Sequence, residues 1–147
     1  MTAAYGEVVL GVGSAGFGPN TVRLRANLTG VTVTGTFNNS SDRNGKQDFR
    51  SVSSSQILEK VARLPISEWS YKEDATTRHI GPVAQDFHAA FNIGTDDKHI
   101  APLDEAGVAL AAIQGLNQKL EAQQAENAEL KRELAELKKL VQQIARH

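Results

Sequence analysis

The residues with the clearest chemical potential are a serine and a lysine five positions apart, in Ser40-Ser41-Asp42-Arg43-Asn44-Gly45-Lys46. A serine hydroxyl is a weak nucleophile until a neighbour takes its proton, and a lysine can do this once burial keeps its amine neutral. Ser-Lys dyads are a known variant of the serine triad. The nearest electrophile is the chain itself, at the Ser40-Ser41 bond or, alternatively, the Ser41-Asp42 bond. The chemistry this pair points to is therefore a single self-cleavage, with Ser41 as nucleophile and Lys46 as base. Position matters as much as type. If Asn44-Gly45 forms a type I′ hairpin loop, the turn this dipeptide most favours, then Arg43 pairs with Lys46 and Ser41 with Asp48. Ser41 and Lys46 become diagonal neighbours about 7 Å apart at Cβ, most of which a lysine stem covers. The same residues also make ordinary solvated turns, and a pattern as short as S-D-x-x-x-K recurs by accident.

Other chemistries find little support. His79, His88 and His99 have neither the close helical spacing of a zinc motif nor carboxylates at matching intervals, so no metal site and no cofactor are expected. There is no cysteine, which excludes disulfides and thiolate metal sites. A net charge of −1 and a pI near 6.4 leave no basic footprint for nucleic acid. No apolar run approaches the ~20 residues needed to cross a bilayer, and no signal peptide is visible.

The elements that must position the dyad divide the chain in three. Residues 1–40 are rich in Gly, Thr, Val and Asn. Alternation in Val22-Arg23-Leu24-Arg25 and Val31-Thr32-Val33-Thr34 predicts strands. Large apolar side chains are too few there to enclose a core, so the segment reads as a stub of β-structured fibre completed by strands of other copies, or else as a linker. Residues 41–107 read as a small globular α/β core. Ser53 to Ser55 can cap a helix with Ile57, Leu58, Val61 and Leu64 on its apolar face, stopped by Pro65. Ile66 to Tyr71 alternates as a strand with Trp69 and Tyr71 on one face. Lys72 to Thr77 reads as a turn and Arg78-His79-Ile80 as the returning strand. Pro82 suits the first turn of a helix through Phe87 and Phe91 that Asn92 and Gly94 end. The predicted core is Trp69, Tyr71, Ile80, Phe87 and Phe91.

Residues 108–147 carry heptads. With Ile113 at position a, the a and d sites are Ile113, Leu116, Leu120, Gln123, Asn127, Leu130, Leu134, Leu137, Val141 and Ile144. Glu126 with Lys131, and Glu133 with Lys138, have the g-to-e′ spacing that favours parallel chains. The seam alone leaves two or three strands open. The fold class is thus α+β: a glycine-rich β segment, a small core and a long C-terminal helix in a parallel coiled coil.

From residue 36 onward the sequence resembles the intramolecular chaperone, auto-processing domain at the C-terminus of endosialidase tailspikes and other bacteriophage tail fibres. The matching residues are Ser41-Asp42 with Lys46, the run from Arg78 through His79, Gly81, Pro82 and Gln85 to Phe87, and Val108-Ala109-Leu110 leading into Ile113-Gln114-Gly115-Leu116. The family often carries bulkier residues between the Asp and Lys than Asn44-Gly45. The resemblance implies a homotrimer, an upstream β-fibre on the same polypeptide, and self-release with Ser41 as nucleophile and Lys46 as base. It implies a setting in a virion tail fibre, or in the bacterial cytoplasm during assembly. It also makes auxiliaries of Asp42, of His79 (proton transfer, loop orientation or a structural contact) and of Gln85 (an oxyanion donor). The alternative is a non-catalytic trimerisation cap.

Overall fold

Alternation of β-branched and polar residues early in the chain, and unbroken helix formers late in it, produce the architecture in a computed structural model that describes residues 8–11, 22–27 and 30–146. The fold is α+β, with small antiparallel sheets and a long C-terminal helix. The chain divides into two compact units. The first takes Met1–Asp48 and Glu68–Ile80, the second Phe49–Ser67 and Gly81–His147.

In the first unit, β1 (Val8–Gly11), β2 (Val22–Asn27) and β3 (Gly30–Val33) form an antiparallel sheet in that order. Leu24 lies opposite Val33 and Asn27 opposite Gly30. The two alternating runs of the sequence are thus β2 and β3. Most of the remaining glycine-rich segment lies outside the described residues.

A second, two-stranded sheet joins β4 (Ser67–Tyr71) to β5 (Asp74–Gly81). The returning strand begins at Asp74 and not at Arg78, because Asp74 organises its start. Its carboxylate accepts hydrogen bonds from the hydroxyls of Thr76 (2.7 Å) and Thr77 (2.6 Å) and from both their main-chain N–H groups. The following threonines are β-branched and suit a strand. The Thr77 hydroxyl, then that of Thr76, holds the Asp74 carboxyl down at about 2. Alternation along β4 holds as expected. Trp69 and Tyr71 share a face, with ring centroids 5.1 Å apart, while Glu68 forms an ion pair with Arg78 at 3.0 Å. The predicted core needs correction here: Tyr71 is 59% exposed and Ile80 74% exposed. A two-stranded ribbon encloses nothing on its own.

The second unit is helical. Ser53 caps α1 (Ser54–Arg63), its hydroxyl accepting from the Gln56 N–H, and Leu64 before Pro65 closes the helix. Ile57, Leu58, Val61 and the C-cap Leu64, the predicted apolar face, are half-buried. Helix α2 (Ala84–Phe91) ends at Asn92, whose left-handed backbone (φ 52°) lets its N–H return to the His88 carbonyl at 2.8 Å. Pro82 precedes the N-cap Val83 and does not sit in the first turn, because β5 runs on to Gly81. Phe87 is buried and packs against Phe91 at 4.9 Å.

Helix α3 (Pro102–Ile144) has 43 residues and at 1.5 Å per residue is about 65 Å long. It begins ahead of the heptads, with Pro102 in its first turn followed by Asp104 and Glu105, both favourable at a helix start. Here α1 packs on α3, and small residues make this possible. Ala111, Ala112 and Gly115 are buried, and a Cβ at Gly115 would stand 2.3 Å from the Ser54 carbonyl oxygen. Beyond this contact the leucine, isoleucine and valine residues of the a and d seam are each more than half exposed.

Candidate active site

A three-residue 3-10 turn, Arg43–Gly45, sets the geometry of the dyad. Asp42 is its N-cap. One carboxylate oxygen accepts from the Asn44 main-chain N–H at 3.0 Å and from the Asn44 side-chain amide at 3.2 Å. The Asp42 carbonyl accepts from the Gly45 N–H at 3.2 Å, and the Arg43 carbonyl from the Lys46 N–H at 3.1 Å. These bonds reverse the chain tightly enough for the Lys46 ammonium to donate to the Ser41 hydroxyl, Nζ to Oγ 2.6 Å. Ser41, Asp42 and Lys46 are therefore brought together.

The route to that contact corrects the expected hairpin. A type I′ loop needs positive φ at both central residues, and neither Asn44 nor Gly45 has it. Arg43 and Lys46 close a 3-10 turn and not a strand pair, while Asp48 takes a left-handed backbone (φ 56°) instead of pairing with Ser41. The Asp42 cap outcompetes the hairpin because it satisfies the Asn44 N–H locally. The signal was present in the sequence as an Asp two residues before an Asn, a pattern that favours an Asx-type turn.

Ser40, Ser41, Asp42 and Lys46 are all exposed. Water reaches both members of the dyad in the single chain. His79 is half-buried, its ring stacked on Trp69 (4.7 Å between centroids, 25° between planes) with Tyr71 edge-on at 5.4 Å. Gln85 is exposed in the first turn of α2, in the second unit.

Elsewhere, the Asp96 carboxylate accepts from the Lys98 and His99 N–H groups and lies 3.0 Å from His99 Nδ1. The Lys98 N–H, followed by the His99 ring, lowers the Asp96 pKa. His88 Nδ1 lies 3.1 Å from the Ile93 carbonyl oxygen. Among the described residues, no three His, Asp or Glu side chains are grouped to hold a metal ion, and no helix is long and apolar enough to cross a membrane.

A comparison with curated proteins finds no match. A comparison with family models finds one, beginning at the candidate nucleophile and ending at the residue that closes α2. Residues 41–92, which hold Ser41, Asp42, Lys46, His79 and Gln85, match the family Peptidase_S74, chaperone of endosialidase, and this is the family whose motifs the sequence resembles.

Proposed function

We propose that this chain is an intramolecular chaperone that trimerises an upstream β-structured fibre and then releases itself by autoproteolysis beside Ser41. The observation that carries the reading is the 2.6 Å contact between Lys46 Nζ and Ser41 Oγ. A lysine that reaches the serine within hydrogen-bond distance satisfies the geometric requirement on a general base. With the amine neutral, it takes the hydroxyl proton as Oγ attacks the carbonyl carbon of Ser40. The same proton then passes to the departing nitrogen of Ser41, and water hydrolyses the resulting ester. Attack on the Ser41-Asp42 bond is the alternative. Asp42 acts through the turn, as a positioning residue.

The exposure of the pair fits this scheme through assembly. A neutral lysine needs to be relieved of water, and neighbouring copies are what would cover it. The seam of α3 presents exposed apolar residues for such copies, and the family match supports a chaperone role. The gain from trimerising first is entropic. Strands from separate chains must find distant partners before any contact stabilises them, and a preformed trimer raises their effective concentration. Cutting the helper away leaves a fibre without a return path, which is kinetic stability. Such a module would work in a virion tail fibre or in the bacterial cell during its assembly.

The exposure also favours a second reading, a structural trimerisation cap in which the dyad is idle. Denaturing electrophoresis with intact mass decides. An N-terminal fragment of about 4 kDa that disappears in Ser41→Ala and in Lys46→Ala is the expected result. A full-length band after prolonged incubation would leave only the cap. Sedimentation of Ser41→Ala is expected to give a trimer, and a monomer would remove the chaperone reading.

A further inference from the structure

Asn44-Gly45 carries a second chemistry that self-cleavage does not use. We propose that Asn44 is a deamidation site gated by the 3-10 turn that joins Ser41 to Lys46, and that its conversion takes this turn apart. The main-chain nitrogen of Gly45 attacks Cγ of Asn44. The Cγ–Nδ2 bond breaks, and Nδ2 leaves as ammonia with the proton from the Gly45 nitrogen. The cyclic imide then takes up one water at either carbonyl and opens to aspartate or isoaspartate. Water enters, ammonia leaves, and no oxidant or reductant is needed.

The position suits the reaction. Asn44 is exposed to the water that completes it. Glycine follows, so its own residue brings no side chain to shield the attacking nitrogen, and among the described residues no heavy atom lies within 4 Å of where a Cβ would stand. In the closed turn, however, Asp42 holds both reacting groups. The Gly45 N–H donates to the Asp42 carbonyl at 3.2 Å. The Asn44 amide, whose nitrogen must leave, donates to the Asp42 carboxylate at 3.2 Å. Opening the turn frees both at once, so the rate of deamidation reports how often the turn opens.

The products do not fit the turn as asparagine does. Aspartate replaces the amide donor with a second carboxylate beside Asp42, a like-charge contact in place of a hydrogen bond. Isoaspartate adds a methylene to the main chain between Arg43 and Lys46, the span closed by the 3.1 Å bond between their backbones. The Lys46 amine is carried off the Ser41 hydroxyl. A chain that lingers uncut therefore loses its dyad. The chemistry at Asn44 stands without the cleavage reading; only this last consequence rests on it.

The test uses the full chain with Ser41→Ala, which cannot cut itself, aged at mildly alkaline pH and followed by intact mass and peptide mapping. The expected result is a species about 1 Da heavier, with the gain at Asn44 and part of it isoaspartyl. Adding Asp42→Ala removes the cap and is expected to speed the gain about fivefold, the population change that loss of a typical cap produces. Gly45→Ala is expected to slow it. No gain at Asn44 overturns the site, and equal rates with and without Asp42 overturn the gating. Aged Ser41→Ala that deamidates, beside wild-type chain that is never cut, upholds the site and overturns only the cleavage reading.

Discussion

Gly115 and Gly45 do opposite things in this protein. At Gly115 the missing Cβ is essential, because the Ser54 main chain occupies its place, with the carbonyl oxygen 2.3 Å and the carbonyl carbon 2.7 Å from where the atom would be. At Gly45 a Cβ would meet nothing within 4 Å among the described residues. The first glycine serves a contact between residues about sixty positions apart in sequence, where one helix lies against another. The second lies in a turn held by hydrogen bonds within five residues. Packing of α1 on α3 therefore holds the helical unit, while the candidate chemistry depends on a turn closed by local hydrogen bonds. A site of that kind can change without unfolding the molecule.

Substitutions can break that contrast. The largest effect is expected in the helical unit, where Phe87→Ala removes the large side chain that is only 4% exposed and should destabilise by about 3 kcal/mol in urea unfolding. Gly115→Ala should follow, at roughly 1–3 kcal/mol, because the displaced partner is backbone and cannot rotate away. A Gly115→Ala midpoint equal to the parent's would mean that α1 does not close on α3 at Gly115. Asp42→Ala should leave the unfolding midpoint nearly unmoved yet slow the release of the N-terminal fragment, and Asp42→Asn, which keeps an acceptor at the cap, should restore it. An equal loss in both variants would assign Asp42 something other than a positioning role.

The smallest effect concerns pH. The Asp74 carboxyl is held at about 2 in the folded chain, below the ordinary 3.8, so the unfolded chain binds its proton more readily. Its contribution to stability is complete above about pH 4 and is lost as pH falls from there through about 2. Asp74→Ala should flatten that limb of an acid titration followed by circular dichroism. A limb of unchanged slope would show that the threonine bonds do not persist in solution.

Much of this was legible in the residues. Ser53 at the N-cap, the Ile57, Leu58, Val61 and Leu64 face, the Asn92 stop and the Trp69/Tyr71 alternation follow from local rules of capping and periodicity, and each holds. The start of α3 was also written in Pro102, Asp104 and Glu105, but the heptads drew the boundary later, since its first turns face α1 and not the seam. The Asn44-Gly45 hairpin failed because two local preferences competed there, and the Asp42 cap prevailed. Tyr71 and Ile80 failed as core because burial depends on what comes from elsewhere in the chain, which alternation does not report.

By itself, the sequence determined that α1, α2 and α3 are helices, that β2, β3 and β4 are strands, and that Ser41 and Lys46 are close enough in the chain to meet, because these depend on neighbours within a few residues. Only the tertiary structure decided that they meet across a 3-10 turn, with the lysine amine on the serine hydroxyl, and that α1 closes on α3 at Gly115. The physical reason is that a turn type is settled by fractions of a kcal/mol between competing hydrogen bonds, and a helix contact by the shapes of two surfaces far apart in sequence.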